Sequence, residues 1–296
     1  MTRLYILGGF AFLFLDLHLN GNLNKYINMK YAYLSVGAIV LFALLFAVEL
    51  WRLFMQERAG KRGKAPHADD GHHHDHHHDH GSGYAHGKTS KLSRRFTYAA
   101  LSFPILTGVL LPVQTLDSSF VKAKGFSFPS FDVSDVSADN PGYHQFLRPD
   151  TSVFYGKEGY RIVSHEELNE FLDQQEVILT DQNYLKGLEA IYNYPDRFAG
   201  KTIGFDGFVY RGQQVDDKHD FLFRFGFIHC VADSGVFGML LEFPSSVNLK
   251  DDDWIHVTGT LGGEYYQPFK ETIPVLKVRE WNRIDPPKDP YVYRTY

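Results

Sequence analysis

With a single cysteine, Cys230, the chain has no intramolecular disulfide and no Cys-x-x-Cys zinc site. Any part of it that faces outward must hold together by its core alone. Gly-x-Ser-x-Gly, a phosphate-binding glycine loop and His-Glu-x-x-His are also missing. No motif supports a hydrolase, and the chain reads as a non-enzyme. Positive charge is scarce in the second half. Residues 115–296 carry 18 Lys/Arg against 28 Asp/Glu, whereas residues 1–114 carry 12 against 7. Phosphate binding needs a basic face, so the acidic half excludes nucleic acid as its partner.

What is present begins with long apolar segments. Leu4–Leu19 is apolar but short, since roughly 20 residues cross the hydrocarbon core. Ala32–Phe54 is of full length, with Tyr33 and Trp51 near its two ends as interfacial aromatics. A third segment, 96–116, holds Pro104 and Pro112, which bend a helix or end it early. The first segment lacks a small-x-small cleavage site, and another span follows soon, so it reads as a span rather than a signal peptide. Three spans are therefore expected. Arg52, Arg58, Lys61, Arg62, Lys64, Lys88, Lys91, Arg94 and Arg95 separate the second from the third, and only Lys25 and Lys30 lie between the first two. The positive-inside rule puts the basic segment in the cytoplasm and everything after about Leu116 outside, provided the third segment spans. Asp16, His18 and Glu49 fall near the span ends, where snorkelling to the interface accounts for them.

Between the second and third segments lies a dense tract of imidazoles and carboxylates. Nine histidines fall between His67 and His86, and the centre reads His72, His73, His74, Asp75, His76, His77, His78, Asp79, His80. The surrounding residues 59–95 have no apolar periodicity and are expected to be a disordered cytoplasmic loop. Neutral imidazole suits Zn²⁺ and other first-row divalent ions. Such a loop imposes no geometry, so it reads as a buffer, sensor or delivery arm that names no metal. The bland alternative is a solvated linker.

The second half divides further. Residues 117–160 read as an extended stalk and 161–296 as an exterior domain. Asp181 is placed to cap a helix carrying Tyr184, Leu185, Leu188, Ile191 and Tyr192 on one face. Five strand candidates follow at 203–210, 221–230, 236–243, 254–261 and 273–283, which predicts an OB-like five-stranded Greek-key barrel over about 200–284. Phe221, Phe223, Phe225 and Phe227 share one strand face and are expected to fill that barrel. His229 and Cys230 point to opposite faces if the strand is regular. They can share an ion with Asp233, or with His256, only if the chain bends there.

These features together resemble the YcgQ-like family of bacterial membrane proteins. The match is carried by Phe205-Asp206-Gly207-Phe208-Val209-Tyr210, then Arg224-Phe225-Gly226-Phe227-Ile228-His229-Cys230-Val231-Ala232-Asp233-Ser234, then Trp254-Ile255-His256-Val257-Thr258-Gly259. His229 stands where the family usually has the first of two cysteines, and Ser234 replaces an alanine. The resemblance implies an accessory subunit of a two-component transport system, paired with a multi-span permease in the bacterial plasma membrane. The expectation is thus a multi-pass permease subunit for a metal ion or metal-containing solute. A membrane-anchored metal sensor or chaperone is the alternative, and an envelope enzyme using His229, Cys230 and Asp233 is the third reading.

Overall fold

Apolar side chains with nothing to bury them dominate the first part of the computed structural model. The structure describes residues 2–62, 91–126, 166, 168–212 and 216–294. They form two compact units, Met1–Leu23 with Ala32–Val113, and Asn24–Tyr31 with Gln114–Tyr296. The histidine tract and most of the expected stalk lie outside the described residues.

The first unit is helical: α1 (Thr2–Leu19), α2 (Ala32–Arg62) and α3 (Lys91–Leu110). Phe10 and Phe14 stack on Phe42, and Gly8 faces Phe46, so α1 and α2 run antiparallel. Gly9 faces Ile105 and Gly108 faces Leu13, so α1 and α3 run parallel. A Cβ on Gly108 would come within 2.7 Å of Leu13, a close fit of the small-residue kind that apolar helices use where lipid supplies no hydrophobic drive. Leu34, Val40, Leu41, Leu44, Val48 and Trp51 of α2 remain exposed. An apolar surface of that extent is not stable in water, and it suits lipid. Asp16 accepts from Asn20, His18 meets Ser35, and Glu49 meets Arg52, so the ionisable groups near the span ends have nearby partners.

Among the described residues, two helices are long and apolar enough to cross a membrane, Thr2–Leu19 and Met29–Arg58. The expectation of three is corrected. The apolar part of α3 is Arg95–Leu110, about 24 Å at 1.5 Å per residue against a core of about 30 Å. Basic residues open α3, and Pro112 disfavours helical backbone at Leu111, which ends it.

The second unit is built on a seven-stranded sheet, covered by short helices. In chain order it contains α4 (Ser118–Lys124), β1 (Glu176–Leu179), α5 (Tyr184–Asn193), α6 (Pro195–Phe198), β2 (Thr202–Tyr210), β3 (His219–Phe227), β4 (Gly235–Glu242), β5 (Trp254–Tyr266), β6 (Glu271–Arg283) and β7 (Tyr291–Tyr293). The strand order is β1-β2-β5-β6-β4-β3-β7, and β2 also pairs with β3. The five expected strands are found near their expected places, but the expected OB-type barrel is not. The strands close a ring of pairings that is not a barrel. Two of its joints, β2–β3 and β4–β6, are three residues long, against twelve in β5–β6. β1 and β7 extend the sheet in parallel at its ends.

Both faces are buried, which corrects the place of the phenylalanines. Phe221, Phe223, Phe225 and Phe227 join Phe208, Tyr210, Leu240 and Val275 in one cluster, which takes in Val121 of α4. Phe126 lies edge-on to Tyr210, Phe221, Phe223 and Phe269. Leu222, on the other face, joins Val209, Met239, Leu241, Ile255 and Val257 with Leu185, Leu188 and Ile191 of α5. The apolar face expected for α5 is the buried one, but Asn183 stands at its N-cap. Asp181 instead holds Arg224 at 2.8 Å, whose guanidinium lies over Tyr184 and Trp254.

The core also buries charge. Arg294 and Glu189 meet at 2.8 Å with side chains 1% and 2% exposed. Glu189→Ala strips a buried guanidinium of its carboxylate and is expected to destabilise the soluble unit by about 3–5 kcal/mol, read from thermal unfolding of the full chain in detergent. Tyr184 donates to the Phe237 carbonyl and Tyr192 to that of Gly238, and burial pushes both phenols up. A folded pKa above the unfolded value of about 10 means stability that is complete below that pH and lost as pH rises through the folded pKa. Phenolate absorbance near ~295 nm should therefore emerge together with unfolding, and a separate earlier ionisation of these two would contradict their burial.

Candidate metal centre

Strand register assembles the one three-ligand group found among the described residues. His219 opens β3 and Glu242 closes β4, and the two are direct cross-strand partners. Opposed side chains on such a pair stand about 5 Å apart, within reach of a shared ion. Glu264, near the far end of β5, supplies the third donor. One ligand atom from each of His219, Glu242 and Glu264 lies within 4.8 Å of the others. The Nε2 of His219 is 3.5 Å from Glu264 Oε1.

The second ring nitrogen is engaged. His219 Nδ1 is 2.7 Å from Asp216 Oδ1. If Nδ1–H donates there, Nε2 presents its lone pair to the two glutamates, which is the carboxylate–histidine arrangement that orients imidazole ligands. Burial opposes ionisation of Asp216. Hydrogen bonds from the Lys218 amide and from His219 outweigh it and hold the carboxyl below its ordinary value. His219 Nε2 and Glu242 Oε2 are both buried without a hydrogen-bond partner. Three carboxylates around one imidazole repel one another unless a proton or a cation sits among them. Lys277 supplies part of that charge, with Nζ 3.5 Å from Glu242 Oε2. One imidazole and two carboxylates form a donor set suited to a first-row divalent ion, and three protein ligands leave further positions open.

The residues singled out in the sequence lie elsewhere. β3 ends at Phe227, the chain bends, and Val231–Asp233 form one 3₁₀ turn. Asp233 accepts from the amides of His229 and Cys230, each at 2.9 Å, and meets His229 Nδ1 at 2.8 Å. The bend therefore brings His229 and Asp233 together, with Cys230 beside them in an isolated bridge opposite Ile27. His256 is not drawn in: it pairs with Asp206 at 2.5 Å and meets Thr258 at 3.3 Å. His72–His80 with Asp75 and Asp79 lie outside the described residues. His219, Glu242 and Glu264 escaped the sequence reading because no spacing joins them. The signal that finds them is the register of β3 on β4.

Asp233→Ala should cost about 2–3 kcal/mol in thermal unfolding, since it leaves two amides without their acceptor. Asp233→Asn, which keeps one acceptor oxygen, should lose less.

The chain matches the DUF1980 N-terminal domain over residues 2–127 and the DUF1980 C-terminal domain over residues 154–294. It is 48% identical over 298 residues to UPF0703 protein YcgQ of Bacillus subtilis (strain 168), covering 100% of both chains. It is 36% identical over 301 residues, again covering 100% of both, to a Streptococcus mutans serotype c (strain ATCC 700610 / UA159) protein named "Putative two-component membrane permease complex subunit".

Proposed function

The chain belongs to the YcgQ-like DUF1980 family, and we propose that it is the accessory subunit of a two-component membrane permease complex whose soluble domain binds a divalent metal ion. The observation that carries the metal reading is the convergence of His219, Glu242 and Glu264, with His219 Nε2 and Glu242 Oε2 buried and lacking hydrogen-bond partners. The permease role is supported by the name of the Streptococcus mutans relative and by the helical unit itself. Two spanning helices among the described residues are too few to line a path across the bilayer, so a multi-span partner supplies it. The role is binding and assembly, not catalysis.

Zn²⁺ or another first-row divalent ion fits the donor set. His72–His80, with Asp75 and Asp79, form a second reservoir of ligands that gathers the same ions at the cytoplasmic face. His229, Cys230 and Asp233 form a lesser candidate site in the soluble domain. The basic residues that flank the tract put that face inside the cell, which leaves the link between α1 and α2 at the exterior face of the plasma membrane.

Zn²⁺ titration of the full chain lacking Gly71–Gly81 tests the domain site without the tract's background. One ion per chain is expected. His219→Ala should weaken it at least ~10-fold, and affinity should fall as pH falls, because protons compete with the ion for the imidazole and carboxylate ligands. Lys277→Met removes a competing cation and should tighten binding ~3-fold. Binding unchanged by His219→Ala would remove this site from the proposal. Recovery of a multi-span partner on affinity purification from native membranes is the expected outcome for the permease role. Recovery of the chain alone, still metal-loaded, would favour the sensor reading instead.

A further inference from the structure

Lys277 is placed by two strands at once. It is in register with Glu242 on the parallel side of β6 and with Thr260 on the antiparallel side. It therefore stands between the end of β4 and the strand that carries Glu264. His219, Glu242, Glu264 and Lys277 each lie two residues from a member of the aromatic-face cluster: Phe221, Leu240, Tyr266 and Val275. Side chains two apart on a strand share a face, so all four project from the aromatic face, at the rim where its burial ends. The stem of Lys277 runs beside Gly262, where a Cβ would lie 3.8 Å from Lys277 Cε. That course aims the ammonium at the ligand group, 3.5 Å from Glu242 Oε2, while 62% of the side chain stays exposed. Glu242 Oε2 has no hydrogen-bond partner, so the ammonium faces it as a charge and spends no donor on it.

A dication held by this group takes up the charge of Glu242 and Glu264 and leaves Lys277 uncompensated beside it. An ammonium has three donors and no lone pair, so it cannot join the ligands. Three protein ligands also leave positions on the ion open. Water in those positions fills the shell but leaves cation facing cation. An oxyanion does more: one oxygen completes the shell, and another accepts from the ammonium. Asp216 opposes this little, because it holds the Nδ1 side of the imidazole and the ion sits at Nε2. We propose that the centre takes its ion paired with an oxyanion, with Lys277 as the second anchor. The solute recognised is then a divalent metal carried by a carboxylate or phosphate compound, not the bare ion. This inference rests on the reading of His219, Glu242 and Glu264 as a metal centre. It gives Lys277 two opposite effects, which a surface ion pair alone would not have. The ammonium competes with the ion when the anion is absent and holds the anion when the ion is present.

Co²⁺ provides the test, because its visible absorption band reports on the ligands around it. The full chain lacking Gly71–Gly81 is loaded with Co²⁺ in detergent, in a buffer free of carboxylate and phosphate. It is then titrated with sodium acetate or with inorganic phosphate. A saturable change in the band is expected with at least one of the two, and the tighter of them names the class of carrier. Lys277→Met should weaken that anion ~10-fold, the loss of one charge-assisted hydrogen bond. Lys277→Arg, which keeps the charge and the donors, should retain it. Without anion, Lys277→Met should hold Co²⁺ at least as tightly as the wild type, and a loss of Co²⁺ itself would mark a structural role and overturn the proposal. A band that neither anion changes, or an anion that binds the wild type and Lys277→Met alike, also overturns it, while Co²⁺ bound through His219 leaves the metal centre standing. Co²⁺ binding that His219→Ala leaves unchanged overturns the metal centre and the pairing with it.

Discussion

Strand β3 has no solvent face, and the rest of the soluble unit is arranged around that constraint. From Asp220 to Phe227 every residue is buried. A strand buried on one side needs one covering layer, and a strand buried on both needs two. The aromatic side is covered by Phe126, Phe120 and α4, the aliphatic side by α5 and the facing strands. The close approach this requires appears at Gly238, where a Cβ would meet the Leu222 carbonyl at 1.8 Å. Arg224 is tolerated in the same strand because Asp181, two backbone carbonyls and two aromatic rings surround its guanidinium.

The same strand sets both places of chemical interest. Its first residue, His219, lies where burial begins to relax, so an imidazole can be oriented by Asp216 yet still reached by Glu242 and Glu264. Beyond its last residue the chain bends at Ile228–His229 and meets the link between α1 and α2. A candidate ligand group and the seat of residues 24–31 thus lie at the two ends of one buried strand.

Much of the fold was legible because its signals are local. Alternation marks β2 to β6 close to their observed bounds, and the spacing of Tyr184, Leu188 and Ile191 marks the buried face of α5. The apolar length of α2 is unmistakable. The third segment misled because its apolar run continues past Pro112, while the helix stops at Leu110. The barrel misled because strand number was read without pairing length, and because the second buried face is covered from outside the strands, by Phe126 and α4. Asp181 looked like a helix cap and proved to be the partner of a distant arginine.

The sequence by itself determined composition-level chemistry and periodicity: a membrane-anchored first part, an acidic soluble second part, a dense store of imidazoles and a resemblance to one family. These follow from which residues are present and how they repeat, and neither needs a partner to be known. Tertiary structure alone decided that His219, Glu242 and Glu264 converge while His256 turns to Asp206, and that Asn24–Tyr31 belongs with the soluble domain. The physical reason is that register and helix direction bring together residues far apart in the chain, and no spacing in one dimension records which strands will pair.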